Sequence, residues 1–215
     1  MSNSLIVALL GFVAFIITLS AHEFAHALAG HFLGDETARR AGRLTLNPLA
    51  HIDPIGTVLI PILGSLSGLP LIGWAKPVPY NPYNLKHGKW GAVIVAFAGP
   101  VTNVIVAALA MTMYLALAPS LSQDNLLVVL LADLVMVSLS LALFNLIPVP
   151  PLDGSRLLLS IFDAPRHRSL RLFVETRGPL ILILIVFADF FTDGRLLGPI
   201  FQGFFHTFFW LFGAT

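Results

Sequence analysis

The chain contains no cysteine. Disulfides and thiolate metal sites are therefore excluded, and any bound metal must be held by His, Asp or Glu. Charge is scarce too. Only 11% of the 215 residues are charged, the net charge is +1, and no long basic run points to nucleic acid as a partner. Hydrophobic residues fill the space instead, at 57% with a mean hydropathy of +0.88. That composition is that of an integral membrane protein with the lipid bilayer as its solvent. The apolar stretches leave no length for a soluble second domain, so one membrane-embedded domain over 1–215 is expected. The N-terminus lacks the basic region of a signal peptide, and its apolar run continues to about Leu33, which reads as a retained membrane helix.

Taken in order, the first helix is expected from about Ser4 to Leu33, longer than the ~20 residues a bilayer needs. Gly34-Asp35 signals its end, and a polar stretch follows to Arg43. The alternation in Arg43–Asn47 suits a short strand. Ile55 to Trp74 is apolar but broken by Pro61, Gly64, Gly68 and Pro70, and Trp74–Pro82 is too rich in proline for a helix interior. Spanning helices are expected over Trp90–Ala118 and Leu126–Ile147. Pro148-Val149-Pro150-Pro151 ends the second of these sharply. Two short Phe-rich segments, Pro179–Phe191 and Leu196–Phe212, suggest a C-terminal helical hairpin within about 178–213. The expected fold is an all-α polytopic membrane protein with five to six membrane segments. It includes a re-entrant hairpin over 55–74 and a small membrane-associated β element formed by Arg43–Asn47 and Trp74–Pro79.

Inside the first helix stands His22-Glu23-Phe24-Ala25-His26, an HExxH pattern. Residues four apart share a helix face, so both imidazoles can reach one metal ion, and Glu23 is placed to reach a water on that ion. In a soluble helix such a trio is often surface decoration. Here Glu23 is the sole formally charged side chain between Met1 and Gly34. A carboxylate in hydrocarbon costs a few kcal/mol or more unless it has a partner or a task.

A catalytic zinc takes three protein ligands and a water, and two histidines with one carboxylate are a common set. Asp153 is the leading candidate for the third ligand, since it follows non-helical, proline-rich backbone at a helix mouth. Such backbone is tolerated at membrane depth where it lines a polar cavity. Asp53 with neighbouring His51, and Asp133 within a helix, compete with it. Asp153 could equally be the N-cap of the segment beginning near Ser155. Topology bears on the choice. His22 and His26 lie near the emerging end of their helix, so Asp153 can join them only after an even number of crossings. A re-entrant 55–74 meets that condition. It also places eleven of the twelve Lys and Arg residues on one side, with Arg195 opposite, where a spanning 55–74 gives eight against four. The positive-inside rule makes the charged side cytoplasmic.

Three motifs in this order resemble the site-2 protease family of intramembrane zinc metalloproteases. They are the HExxH of residues 22–26, Gly99-Pro100-Val101-Thr102-Asn103, and Asn145-Leu146-Ile147-Pro148-Val149-Pro150-Pro151-Leu152-Asp153-Gly154. Asn47–Thr57 and Gly73–Pro79 resemble its compact prokaryotic branch, which has no PDZ or CBS domain. The likeness covers about Leu19 to Arg156, inside an expected core of about 4–156. It implies one zinc per chain held by His22, His26 and Asp153, with Glu23 as the catalytic base. It further implies a site near Asn103 and Asn145, in a prokaryotic inner membrane and open to the cytoplasm. Substrates would be single-span membrane proteins or signal-peptide remnants. Asn103 and Asn145 would orient the substrate backbone or the Asp153 loop, against the plainer reading of interhelical hydrogen bonds. The competing function classes are a membrane metal-ion transporter and a catalytically inactive homologue.

Overall fold

A computed structural model describes residues 2–67 and 73–214. The elements are α1 (Ser2–Phe32), α2 (Thr37–Arg40), α3 (Ile60–Ser67), α4 (Lys89–Leu117), α5 (Leu126–Asn145), α6 (Gly154–Ile161), α7 (Arg168–Phe191) and α8 (Gly198–Leu211). Three stretches are long and apolar enough to cross a membrane: Leu5–Phe32, Lys89–Ser120 and Leu126–Asn145. The protein is thus an all-helical membrane protein with three candidate spans among the described residues. The other segments of the five to six expected, which include the re-entrant and C-terminal hairpins, do not, over the described residues, meet the length and composition of a span. Helix α8 has 14 residues, roughly 21 Å at 1.5 Å per residue and short of a ~30 Å hydrocarbon core. Helix α7 is 24 residues long, but its first half carries Arg168, Arg171, Glu175 and Arg177.

Helices α1, α4 and α5 pack against one another, and α6 rests on α4. Small side chains line the contacts: Ala14, Ala25 and Ala27 on α1, Ala96, Ala107 and Ala110 on α4, Ala142 on α5. Small residues let helix backbones approach closely where lipid offers no hydrophobic drive. Phe208 of α8 joins Ala107, Met111, Leu131, Val135 and Leu139 in the apolar cluster at one end of the bundle. Outside and inside are inverted relative to a water-soluble bundle. Leu5, Leu9, Ile94, Ile105, Leu109 and Leu126 face outward, while Thr18, Ser20, His22, Glu23, Asn103 and Ser138 are buried. Thr18 Oγ1 and Ser138 Oγ share a buried 2.9 Å hydrogen bond that ties α1 to α5.

Residues Pro54–Leu59 form a π-helical turn ahead of α3. Beyond α3, Trp74 N–H donates to the Gly56 carbonyl at 3.2 Å and Lys76 N–H to that of His51 at 3.0 Å. Thr57 Oγ1 also donates to the Trp74 carbonyl at 2.9 Å. The Trp74 ring lies so close over Gly56 that a Cβ there would overlap it. The chain therefore returns at residue 74 to the place it left at residue 56. The breaks at Gly68 and Pro70 lie outside the described residues.

The expected strand over Arg43–Asn47 is absent; among the described residues no β-strand forms. The Arg43 side chain takes the part its backbone was expected to play, donating from Nη2 to the carbonyls of Lys76 and Pro77, each at 3.0 Å. Pro77 and Pro79 carry no N–H, and the N–H groups of Lys76 and Val78 are already engaged inward. A proline-rich segment with its donors so engaged has little left to offer a ladder. It is nevertheless extended, as expected, and it is fastened at its far end by Asp35. That carboxylate is buried at the foot of α1 and accepts from Thr37 N–H and Oγ1, Asn81 N–H and Asn84 Nδ2. Burial alone would raise the Asp35 pKa, but these hydrogen bonds outweigh it and hold the group below its ordinary value.

Candidate metal centre

His22 and His26 sit one turn apart on α1, as their spacing dictates, and their Nε2 atoms are 3.0 Å apart. Asp153 Oδ2 lies 3.1 Å from His22 Nε2 and 3.3 Å from His26 Nε2. Three donor atoms thus form a nearly equilateral triangle. Donors bonded at 2.0–2.1 Å to a tetrahedral zinc are separated by about 3.3 Å. The residues fit the ion. They are the group of three among the described residues whose ligand atoms converge in this way. Ligation by this trio requires two neutral imidazoles and one ionised carboxylate.

Asp153 arrives here because the chain doubles back after α5. Val149 N–H donates to the Ile147 carbonyl and Leu152 N–H to that of Val149, so the proline-rich stretch is a compact turn. Gly154 lies against the Leu146 carbonyl with no space for a Cβ. Asp153 occupies the N-cap position of α6, yet its side chain makes no capping hydrogen bond. The N-cap alternative therefore does not account for the carboxylate. The loop is supported from outside by α7, where a Cβ on Gly178 would come within 2.7 Å of Pro150 Cβ. The C-terminal segment thus touches the site loop, a contact that the sequence, reading a separate hairpin, did not reveal.

Helix α4 supplies the floor. A Cβ at Gly99 would fall 2.5 Å from His22 Cε1 and 2.6 Å from His26 Nε2, so both imidazoles lie directly on helix backbone. One turn before, the Val95 carbonyl accepts from His26 Nδ1 at 2.8 Å. One turn after, the fully buried Asn103 amide meets His22 Nδ1 at 3.0 Å. Glu23 is 8% exposed, and its Oε2 accepts from Val78 N–H at 3.2 Å. The extended segment is thereby laid against the glutamate beside the histidines.

The remaining candidates separate clearly. Asn145 Nδ2 donates to the Leu141 carbonyl of its own helix at 2.9 Å and makes no hydrogen bond to the histidine–aspartate cluster. Asp53 caps the Pro54 turn, accepting from Ile55 and Gly56 N–H. His51 is fully buried, with Nε2 2.8 Å from the Thr45 carbonyl. Neither belongs to the converging donor group. Asp133 faces α1 at Gly11. Sequence reasoning missed Gly178, and it quoted Gly99 and Val78 within motifs without reading their roles at the site. A glycine beside a proline in a spanning helix was the one available signal, for Gly99.

Two histidines, a carboxylate and a neighbouring glutamate inside an apolar bundle are the donor set of a membrane metallopeptidase. Comparison with known proteins agrees. The profile of peptidase family M50 matches residues 116–188, which include Asp153 and most of α7. YwhC of Bacillus subtilis (strain 168), which carries a zinc-metalloprotease name, is 36% identical over 184 residues, 80% of this chain and 78% of the relative. Rip2 of Mycobacterium tuberculosis (strain H37Rv), similarly named, is 29% identical over 93% of this chain and 71% of its own length. No solved structure matches the chain. The chain belongs to peptidase family M50, the site-2 protease family, and is a membrane zinc metalloprotease.

Proposed function

We propose that the protein cleaves peptide bonds within or near the membrane segments of single-span proteins or signal-peptide remnants, using His22, His26 and Asp153 as zinc ligands. The observation that carries this reading is the donor triangle with 3.0–3.3 Å edges, enclosed by three apolar helices. A bound zinc would polarise the scissile carbonyl and lower the pKa of water towards ~7. Glu23 takes a proton from the attacking water and delivers it to the leaving amide nitrogen, so one water and one amide become a carboxylic acid and an amine. Gly99 and the Val95 carbonyl hold the imidazoles still, and the α5–α6 turn presents the carboxylate. The support for a re-entrant 55–74 is that Gly56 and Trp74 are hydrogen-bonded neighbours. With that topology the site opens to the cytoplasmic side of a prokaryotic inner membrane. The Trp74–Pro79 segment is a poor edge for substrate to join as an added strand, because Lys76 and Val78 N–H are already bonded to His51 and Glu23. Transport is the weaker reading: the polar residues gather at one level, and Asp133 stands apart from them.

Two measurements test this. Purified protein in liposomes should cut a single-span helix, lose that activity to a zinc chelator and regain it when zinc is returned; cleavage indifferent to chelation would refute the reading. Single cysteines at Gly73 and Ser122 should differ in intact cells. An impermeant thiol reagent should label Ser122→Cys from outside and leave Gly73→Cys untouched. Outside labelling at Gly73 would sink the re-entrant topology.

A further inference from the structure

The two imidazoles of the centre are held from behind by one helix, but by groups of different kinds. His26 Nδ1 lies 2.8 Å from the Val95 carbonyl, which can only accept. That bond therefore places a proton on Nδ1 and leaves the Nε2 lone pair facing Asp153 and His22. Asn103 Nδ2 lies 3.0 Å from His22 Nδ1, and the amide, turned end for end, would present its oxygen there instead. The two choices have opposite consequences. If the NH2 group faces His22, it donates to the Nδ1 lone pair, and the imidazole proton sits on Nε2, inside the donor triangle. If the carbonyl faces His22, Nδ1–H donates to it and Nε2 is free. The far end of the amide does not decide between them, because the buried Oδ1 position has no partner among the described residues.

We propose that Asn103 is a positioning residue for the metal centre: its amide oxygen faces His22 and accepts from Nδ1–H, so that Nε2 carries a lone pair for the ion. This rests on the zinc reading above. The oxygen and nitrogen of an Asn amide are close to isosteric, so the 180° turn about the amide axis needs no other movement. The pairing of a ligating imidazole with an acceptor behind it fixes the tautomer and the ring direction, and losing such a partner lowers metal affinity by about 10–100-fold. Asn103 reaches only Nδ1 of His22 here, on the far side of the ring from the donor triangle. Its role is to hold a ligand, and not to touch substrate.

The test measures zinc affinity by chelator competition in the full-length protein, in a Glu23→Gln background to prevent self-cleavage. Asn103→Leu keeps the volume and removes the acceptor; its zinc dissociation constant should rise about 10–100-fold. Asn103→Asp keeps an acceptor and should stay within a few-fold of the parent. Zinc affinity in Asn103→Leu equal to that of the parent overturns the proposal. Nitrogen-15 spectra of the zinc-loaded parent give a readout that does not depend on the folding of any variant. They should show a proton on His22 Nδ1, and a bare Nδ1 there overturns the proposal outright. A parent protein that binds no zinc refutes the metal centre itself, whereas a parent that binds zinc with Asn103→Leu unchanged refutes only the role of Asn103.

Discussion

Replacing Glu23 by glutamine is expected to abolish cleavage of a single-span substrate while leaving one zinc per chain. The glutamate is the proton carrier of the proposed reaction, and removing a positioned general base costs roughly 10²–10⁴-fold in rate. Glutamine is the informative choice for a structural reason. Glu23 Oε2 accepts from Val78 N–H, and the glutamine carbonyl can accept the same bond, so the extended segment stays in place. Glu23 is not a member of the donor triangle, so metal content should not change. Elemental analysis for zinc and a cleavage assay on the same preparation check both halves. Undiminished cleavage would refute the assignment, and loss of zinc together with activity would move Glu23 from proton carrier to ligand.

Gly99→Ala is the second large effect, and its direction runs against helix propensity. Alanine is better than glycine in a helix interior by about 1 kcal/mol, so on local grounds α4 should be stabilised. The added Cβ, however, would fall 2.5 Å from His22 Cε1 and 2.6 Å from His26 Nε2. Neither ring can yield freely, because Nδ1 of each is bonded to α4 itself, through Asn103 and Val95. Either the rings tilt away from Asp153 or α1 and α4 separate, and displacement near 1 Å at a site of this kind costs on the order of 10²-fold. The expected result is a protein that still folds but binds zinc more weakly than the parent and cleaves on the order of 10²-fold less. Thermal melting with and without zinc, beside chelator competition, tests it. Parent-like zinc affinity in Gly99→Ala would show that the imidazoles do not rest on α4 as described.

What the sequence could show was set by periodicity and by cost. The three long apolar runs had to be helices in lipid, because backbone polar groups there must be satisfied internally. The 22–26 spacing had to put both histidines on one face. A lone carboxylate in that run demanded a task. The one long-range link it reached, Asp153, came from the resemblance and from counting crossings, since charge and chain order constrain sides of a membrane even when they constrain no distances. The strand over Arg43–Asn47 was misread because alternation reports which faces differ, not what the backbone bonds to. The donor that reaches Lys76 and Pro77 is the guanidinium of Arg43, and periodicity carries no information about that.

Only the tertiary structure decided the rest, and in each case the deciding contact joins residues far apart in the chain. Gly99 is a glycine because two imidazoles from α1 lie against it. Gly178 is a glycine because Pro150 does. Asn103, midway along α4, lies against His22 Nδ1, and Asn145, equally polar but at the end of α5, bonds back to its own helix. Hydropathy and spacing describe a residue's neighbours along the chain. The clearance for a Cβ, the partner of an amide and the edges of a donor triangle depend on how α1, α4 and the α5–α6 turn are brought together, and that is settled by packing.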